Sequence, residues 1–468
     1  MTIRGLTADS RLVEPGFVFA ALPGTLADGA KFIPDALSRG AVAVLGDAAL
    51  AGALPESVAF LPSGNPRRDL ALAAAAFYPL QPETIAAVTG TNGKTSVASF
   101  LRQIWACCGF RAANIGTTGI HGPDGHRPLG LTTPGPVELH RALHELAEAH
   151  VTHAALEASS HGLEQHRLDG VRISAAAFTN ISRDHLDYHK DFEDYLTQKL
   201  RLFTELLPAA GRAVVASDGE GAGRAEAAAR GRGLDVLTVG RKGRSLRLID
   251  VTTSGFSQNL SLWANNRQYK VTLPLAGEFQ IENALVAAGL AMACGLGVDE
   301  ILPCLANLKG ARGRLEAVGR TAAGARIFID YAHTPDALTT AMQALRPYVD
   351  NKLVVLFGAG GDRDTGKRPQ MGAAAAKLAD RVIVTDDNPR GEDPARIRAE
   401  VMAACPDALE IGERAEAVAT AIAGLEAGDV LLLAGKGHET GQVVAGETLP
   451  FSDHDAAAAA LAGREYRP

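Results

Sequence analysis

One turn constrains this chain more than any other stretch. Thr84 to Val88 is an apolar run that reads as a buried strand, and Val97-Ala98-Ser99-Phe100-Leu101 reads as helix. Between them lies Thr89-Gly90-Thr91-Asn92-Gly93-Lys94-Thr95-Ser96. Strand, glycine-rich turn, Gly-Lys-Thr and helix together make a phosphate cradle. Backbone N–H groups and the helix N-terminus face the anion, Lys94 adds a point charge, and the Thr95 hydroxyl can ligate Mg²⁺. The usual G-x-x-x-x-G-K-[ST] spacing does not hold, because its first glycine would fall at Val88; the loop is a shorter G-x-x-G-K-T. We read it as an ATP site, which alone leaves open what the phosphate is used for.

At 468 residues the chain exceeds a single core, so several domains are expected. Hydrophobic residues at 47% and charged residues at 21% are ordinary for a soluble globular enzyme. A balance of 46 basic against 53 acidic residues gives −7, which argues against a nucleic-acid or anionic-membrane surface. Cys107, Cys108, Cys294, Cys304 and Cys405 show no C-x-x-C spacing. Neither a zinc site nor a disulfide is indicated, and reduced thiols in a cytoplasm are expected. No uncharged run reaches the roughly 18 residues of a membrane helix, and no signal-peptide core opens the chain.

Residues 1–84 alternate strand-like runs (Phe17 to Leu22, Ala41 to Leu45, Ser57 to Leu61) with a helix expected over Pro66 to Tyr78. Beyond the phosphate loop, Val151 to Leu156 reads as a strand ending on Glu157. Ile173 to Phe178 reads as another, running into Thr179-Asn180-Ile181-Ser182-Arg183-Asp184-His185. Parallel-sheet enzymes place their sites beyond strand carboxyl ends, so Gly90, Glu157, Asn180 and His185 could converge on one edge. A carboxylate there suits Mg²⁺, with His185 as a further ligand. Taken singly, such residues are more often caps or surface groups. A short run of antiparallel strands is expected between Leu246 and Leu273, then a helix over Phe279 to Met292, then a hinge at Gly310-Ala311-Arg312-Gly313-Arg314.

From residue 313 the rhythm is doubly wound, with strands at Arg326 to Ile329, Leu353 to Phe357, Arg381 to Thr385 and Val430 to Leu433. Helices are expected over Asp336 to Leu345, Gln370 to Leu378 and Ala395 to Ala404. The strands end in four loops: Asp330-Tyr331-Ala332-His333, Gly358 to Lys367, Asp386-Asp387-Asn388-Pro389-Arg390 and Gly435-Lys436-Gly437-His438-Glu439. Arg363 and Arg390 could clamp a carboxylate, and Asp387 and Glu439 could hold an ammonium. The expectation is an α/β chain of three domains. These are a small N-terminal α/β domain (1–84), a central P-loop ATPase-like domain (85–312) and a C-terminal Rossmann-like domain (313–468).

Five motifs in this order resemble the Mur ligases, the ATP-dependent amino-acid-adding enzymes of peptidoglycan precursor synthesis. They are the loop Thr89 to Thr95, Glu157-Ala158-Ser159-Ser160-His161-Gly162-Leu163, Asn180 to His189, Asp330 to Pro335 and Gly435 to Glu439. Within the family the likeness is greatest to the MurE group, which adds the third residue to UDP-N-acetylmuramoyl-L-alanyl-D-glutamate. The resemblance implies that Gly90, Thr91, Asn92, Gly93, Lys94, Thr95 and Ser96 hold the ATP phosphates. Asn283 would contact adenine, Arg314 and Asp330 the phosphates and ribose, and His333 would lie near the phosphates. It implies Mg²⁺ on Thr95, Glu157, His185 and Lys199, the last as N6-carboxylysine. Lys94, Lys199, His185 and Arg314 would be the catalytic group. The first domain would take the UDP end, with Ser10, Thr132 and Thr133. The muramoyl-dipeptide would lie along Ser159, Gln165 and Arg167.

For the incoming amino acid the resemblance points to Asp387-Asn388-Pro389-Arg390, a motif that goes with meso-diaminopimelate, together with Arg363, Gly435 and Glu439. The physics agrees, since two arginines suit a distal carboxylate that lysine lacks. A buried unpaired guanidinium facing lysine would cost on the order of several kcal/mol. The implied chemistry is amide-bond formation through an acyl phosphate, by a cytoplasmic monomer working on small molecules, with no nucleic acid or membrane insertion. A folylpolyglutamate synthetase-like ligase, a MurF-type dipeptide ligase and a P-loop switch are the alternatives. The Arg-bearing motif and the complete first domain disfavour them.

Overall fold

The computed structural model describes residues 2–24, 28–55, 58–182 and 188–467. The chain forms two compact units, Met1–Ile249 with Leu262–Tyr269 and Asn283–Cys304, and Asp250–Ser261 with Lys270–Glu282 and Leu305–Pro468. Among the described residues no helix is long and apolar enough to cross a membrane.

In the first unit β1 (Gly5–Thr7), β2 (Phe17–Ala21), β3 (Ala43–Asp47) and β4 (Ala59–Ser63) pair in that order as a small parallel sheet. The helix Pro66–Phe77 buries Leu70 and Ala74 with Leu6, Val18 and Ala20 of the sheet. It begins where Pro66 and its cap dictate, with the Asn65 side chain accepting from Arg68 N.

The chain then builds a large sheet. Its strands are β5 (Thr84–Thr89), β6 (Ala112–Gly116), β7 (Gly119–Gly122), β8 (Gly125–Arg127), β9 (His153–Glu157), β10 (Ala175–Phe178), β11 (Arg212–Ala216), β12 (Asp235–Gly240), β13 (Leu246–Ser254), β14 (Ser257–Ala264) and β15 (Arg267–Leu273). The order is β15-β14-β13-β12-β11-β10-β5-β9-β6-β7-β8. β5 lies between β9 and β10, parallel to both, with Val88 opposite Glu157 and Thr89 opposite Phe178. The three strands therefore end level, and the loops that follow them share one edge. These strands read as unbroken apolar runs because helices cover the sheet, and Ile85, Leu156 and Phe178 are buried.

The cysteines depart from the expectation of reduced, unpaired thiols. Cys107 ends the helix Lys94–Cys107, Cys304 lies in the helix Val298–Leu305, and the two form a disulfide with Cα atoms 5.9 Å apart. They are 197 residues apart in sequence, so only helix packing brings them together and no spacing motif marks them. Cys108, Cys294 and Cys405 are free.

The second unit holds β16 (Glu316–Arg320), β17 (Arg326–Asp330), β18 (Leu353–Phe357), β19 (Arg381–Val384), β20 (Leu409–Glu410) and β21 (Val430–Ala434). The order is β16-β17-β21-β18-β19-β20, parallel except for the β16–β17 pair. Inserting β21 between β17 and β18 creates a topological switch, and the four loops named from the sequence leave its carboxyl edge. A hairpin, β22 (Gly441–Val444) and β23 (Glu447–Pro450), meets one of those loops through an Arg390–Val444 bridge.

In the first unit a buried charge cluster ties the helices to one another. Arg201 Nη2 donates to both Asp169 oxygens at 2.9 Å, and Arg68 lies 3.4 Å from the same carboxylate. Burial pushes the Asp169 carboxyl up, but the hydrogen bond from His166 and the Arg201 charge outweigh it and hold it below the usual carboxylate range. A carboxyl held low stabilises the fold above its unfolded value, about 3.9, and loses that contribution as pH falls through the folded value. Asp169→Ala should cost about 3 kcal/mol at neutral pH, by stranding a buried guanidinium, and the deficit should shrink in acid. Urea titrations at neutral and acid pH test this; equal midpoints for variant and parent at neutral pH would contradict it.

Candidate active site

In the first unit the phosphate loop closes on itself through two lysines. Lys94 Nζ donates to Gly90 O at 2.8 Å and Thr91 O at 2.9 Å, and Lys199 Nζ donates to Gly90 O at 2.8 Å. Lys199 is fully buried on the helix Phe192–Arg201, with its ammonium 4.3 Å from the Tyr195 ring centre. The strand after β5 in space supplies the loop's other anchors: Asn180 O accepts from Thr91 N at 2.9 Å and Asn180 Oδ1 from Asn92 N at 3.0 Å. Gly93 is left-handed at φ +89°, and a Cβ there would run into Asn283 Oδ1. Asn283, on the helix Glu278–Ala293, thus lies directly against the loop, and Ser96 is buried in the loop helix's first turn.

Thr95 Oγ1 donates to Glu157 Oε2 at 2.9 Å, while Thr117 N (2.8 Å) and Thr117 Oγ1 (3.1 Å) donate to the two Glu157 oxygens. A hydroxyl and a carboxylate meeting beside a phosphate loop fit Mg²⁺, which takes one or two carboxylates with phosphate and water oxygens. Among the described residues no group of three or more His, Cys, Asp or Glu gathers into a metal cage. His185 lies outside the described residues.

Next to Glu157 runs a chain of polar groups. Thr133 Oγ1 donates to Glu157 O at 2.7 Å and lies 3.0 Å from Ser159 Oγ, and Thr132 Oγ1 lies 3.0 Å from Thr117 Oγ1. Arg167 donates to Thr133 O and to Gln165 Oε1, both at 2.7 Å, and Gln165 Nε2 donates to the Tyr188 hydroxyl at 2.9 Å. Thr132, Thr133, Ser159, Gln165 and Arg167 are therefore one network. Ser10 stands apart from it, buried in the small sheet's domain beside Asp35.

In the second unit Asp330 ends β17 and accepts from Leu315 N at 2.6 Å and Ala332 N at 2.8 Å. Burial pushes its carboxyl up, against the Arg314 charge and these two amides. The Arg314 guanidinium lies 5.0 Å from the Tyr331 ring centre, and His333 Nδ1 is 2.8 Å from Tyr331 O. Across the same edge Asp387 and Asn388 are buried, and among the described residues Asp387 Oδ2 has no hydrogen-bond partner although it is shut from solvent. Gly435, at φ +108°, leaves room for it, since a Cβ there would come within 2.6 Å of that oxygen. Glu439 Oε2 accepts from Asn388 Nδ2 at 2.9 Å and from Lys436 Nζ at 3.0 Å.

Arg390, after Pro389, is half-buried, and its Nη1 donates to Gly361 O at 2.7 Å. Arg363 is exposed.

Three family models match the chain. The model described as Mur ligase family, catalytic domain, matches residues 2–78; the Mur ligase middle domain matches 88–291; the glutamate ligase domain matches 313–437. The chain belongs to the Mur ligase family. This Mur ligase is 56% identical, over 99% of its length and 96% of the relative's, to a protein of Bradyrhizobium diazoefficiens. It is 55% identical to one of Brucella melitensis, over 99% and 94%. Both are named UDP-N-acetylmuramoyl-L-alanyl-D-glutamate–2,6-diaminopimelate ligase. A solved structure of the same name superposes with a TM-score of 0.73 at 33% identity, covering 99% of this chain and 96% of that one.

Sequence reasoning gave no individual role to Thr117, Tyr188 or Lys436 in this Mur ligase; Tyr188 and Lys436 entered only as members of the motifs Asn180 to His189 and Gly435 to Glu439. Thr117 carries only a weak signal, a Gly-Thr-Thr-Gly turn after a strand. Gly93→Ala should weaken ADP binding at least about tenfold with the fold intact, because φ +89° and the Asn283 contact both resist a Cβ. Calorimetric titration with ADP checks this; unchanged affinity in a folded variant would contradict it.

Proposed function

We propose that this Mur ligase catalyses the MurE reaction. ATP drives the joining of meso-diaminopimelate to the D-Glu γ-carboxylate of UDP-N-acetylmuramoyl-L-alanyl-D-glutamate, giving the tripeptide, ADP and phosphate. The observation that carries the reading is the Asp387-Asn388-Pro389-Arg390 loop, with a buried, unpartnered Asp387 oxygen, in a chain similar throughout to ligases named for diaminopimelate.

The γ-carboxylate oxygen attacks the γ-phosphorus, the bridging bond to ADP breaks, and an acyl phosphate forms. The diaminopimelate amine then attacks the acyl carbon, loses its proton, and the carbon–oxygen bond to phosphate breaks. No side chain is a covalent nucleophile, so catalysis is positioning and charge stabilisation. In this reading Lys94 and the loop Gly90 to Ser96 hold the triphosphate, with Asn283 at the adenine and Arg314, Asp330 and His333 at ribose and phosphates. Mg²⁺ supplies charge neutralisation of the phosphates, and Thr95, Glu157, His185 and Lys199 as N6-carboxylysine would hold it. Ser10, Thr132 and Thr133 bind the UDP end, and Ser159, Gln165 and Arg167 the muramoyl-dipeptide. Arg363 and Arg390 face the distal carboxylate of the amino acid, and Asp387, Gly435 and Glu439 its ammonium. Residues 1–84, 85–312 and 313–468 act as UDP-substrate, ATP and amino-acid domains of a cytoplasmic monomer.

Phosphate release with the UDP-dipeptide, ATP and Mg²⁺, comparing meso-diaminopimelate with L-lysine, tests the proposal. Turnover with diaminopimelate and at most a trace with lysine is expected. A preference for lysine would keep the ligase and overturn the assignment of the Arg390 loop. No turnover with either would overturn the function.

A further inference from the structure

Lys436 has no part in the reaction described so far, yet it is a fully buried cation beside Asn388 and Glu439. It follows Gly435, just past the end of β21, and has no exposed surface. Its ammonium donates to Glu439 Oε2 at 3.0 Å and to Asn388 Oδ1 at 3.2 Å, with the Phe451 ring centre 6.0 Å away. Asn388 Oδ1 also accepts from Val443 N at 2.9 Å, so two donors fix the amide's oxygen and leave Nδ2 to donate to Glu439 Oε2. Both contacts of Lys436 are thus to residues placed at the amino-acid site. A buried lysine is costly, and an apolar side chain of the same length would fill the space without that cost.

Resting on the ligase reading, we propose that Lys436 is a positioning and specificity-determining residue for the amino acid. It acts in two ways. It pins Asn388 and Glu439 to each other, which leaves Glu439 Oε1 for a ligand ammonium. It also sets the charge of the site. Lys436 pairs with Glu439 at 3.0 Å, while Lys367 lies near Asp387, Arg363 and Arg390 at the same edge; nearby, Arg414 is paired with Asp453 and Asp386 with Arg398. With Lys436 present the Glu439 charge is compensated, and the site suits an end group that is itself a zwitterion, ammonium plus carboxylate. Without that charge Glu439 is left uncompensated, and the site shifts toward a plain ammonium such as the far end of lysine. Lys436 therefore supports discrimination through the acids, while Arg390 supports it through the carboxylate.

The test uses the full-length enzyme and steady-state phosphate release with each amino acid varied, then ATP. Lys436→Gln keeps donors for Asn388 and Glu439 and removes the charge; Lys436→Met removes both. For Lys436→Gln the ratio of kcat/KM for meso-diaminopimelate to that for L-lysine should fall at least about tenfold, with KM for ATP unchanged. For Lys436→Met the KM for diaminopimelate should rise further. Either variant suffices if the other does not fold, and Lys436→Arg, which retains the charge, should recover part of the ratio. An unchanged ratio in a folded variant overturns the proposal. So does an equal loss for both amino acids accompanied by a raised KM for ATP, which marks a merely structural residue. Parent enzyme that turns over neither amino acid would overturn the ligase reading, and this inference with it, whereas an active parent with an unaltered variant ratio overturns the inference alone.

Discussion

Two lysine nitrogens, Nζ of Lys94 and Nζ of Lys199, donate to one carbonyl, Gly90 O, and the nucleotide half of this enzyme is arranged around that contact. It exists because β5, β9 and β10 end level, so that the loop after β5 lies between Glu157 on one side and Thr179-Asn180 on the other. Glu157 takes three donors from Thr95 and Thr117, and Asn180 fixes the loop's own amides. The helix Lys94–Cys107 then leaves the loop with its N-terminus aimed at any bound phosphate. Register between neighbouring strands is thereby converted into a site for a highly charged substrate.

The second unit solves a related problem with buried cations. Arg414 is fully buried, binds Asp453 through two nitrogens, and donates to Ala434 O at 2.9 Å and Asp386 O at 3.3 Å. Arg368, also fully buried, bridges Glu392 and Glu400, each at 2.8 Å. Together with Lys436 these side chains sit under the loops that follow β18, β19 and β21. Buried ion pairs contribute little net stability, because desolvation offsets attraction. Their use here is geometric: they hold the irregular loops that carry Asp387, Asn388 and Glu439 in one arrangement.

Much of this was legible in the sequence. Strands buried on both faces, such as Leu353–Phe357 and Val430–Ala434, appear as unbroken apolar runs bounded by glycine or acids, and their starts and stops were close to those observed. The phosphate loop and the four carboxyl-end loops could be named because each follows such a run. Short, exposed strands such as Gly125–Arg127 carry no apolar pattern and were invisible. The Cys107–Cys304 pairing was hidden by a separation of 197 residues, and the burial of Lys436 between Asn388 and Glu439 joins segments that sequence does not place together. Lys199 shows the limit most plainly. On its helix it reads as a solvated lysine, and only the family resemblance pointed to it; in the fold it is fully buried against the phosphate loop.

In the proposed reaction the D-Glu γ-carboxylate is activated by phosphoryl transfer before the amine attacks. Synthesising the UDP-dipeptide with heavy oxygen in both γ-carboxylate positions, and analysing the released phosphate by mass spectrometry, tests this directly. One heavy oxygen is expected in each phosphate released during tripeptide synthesis. Unlabelled phosphate, with tripeptide formed at the normal rate, would contradict it.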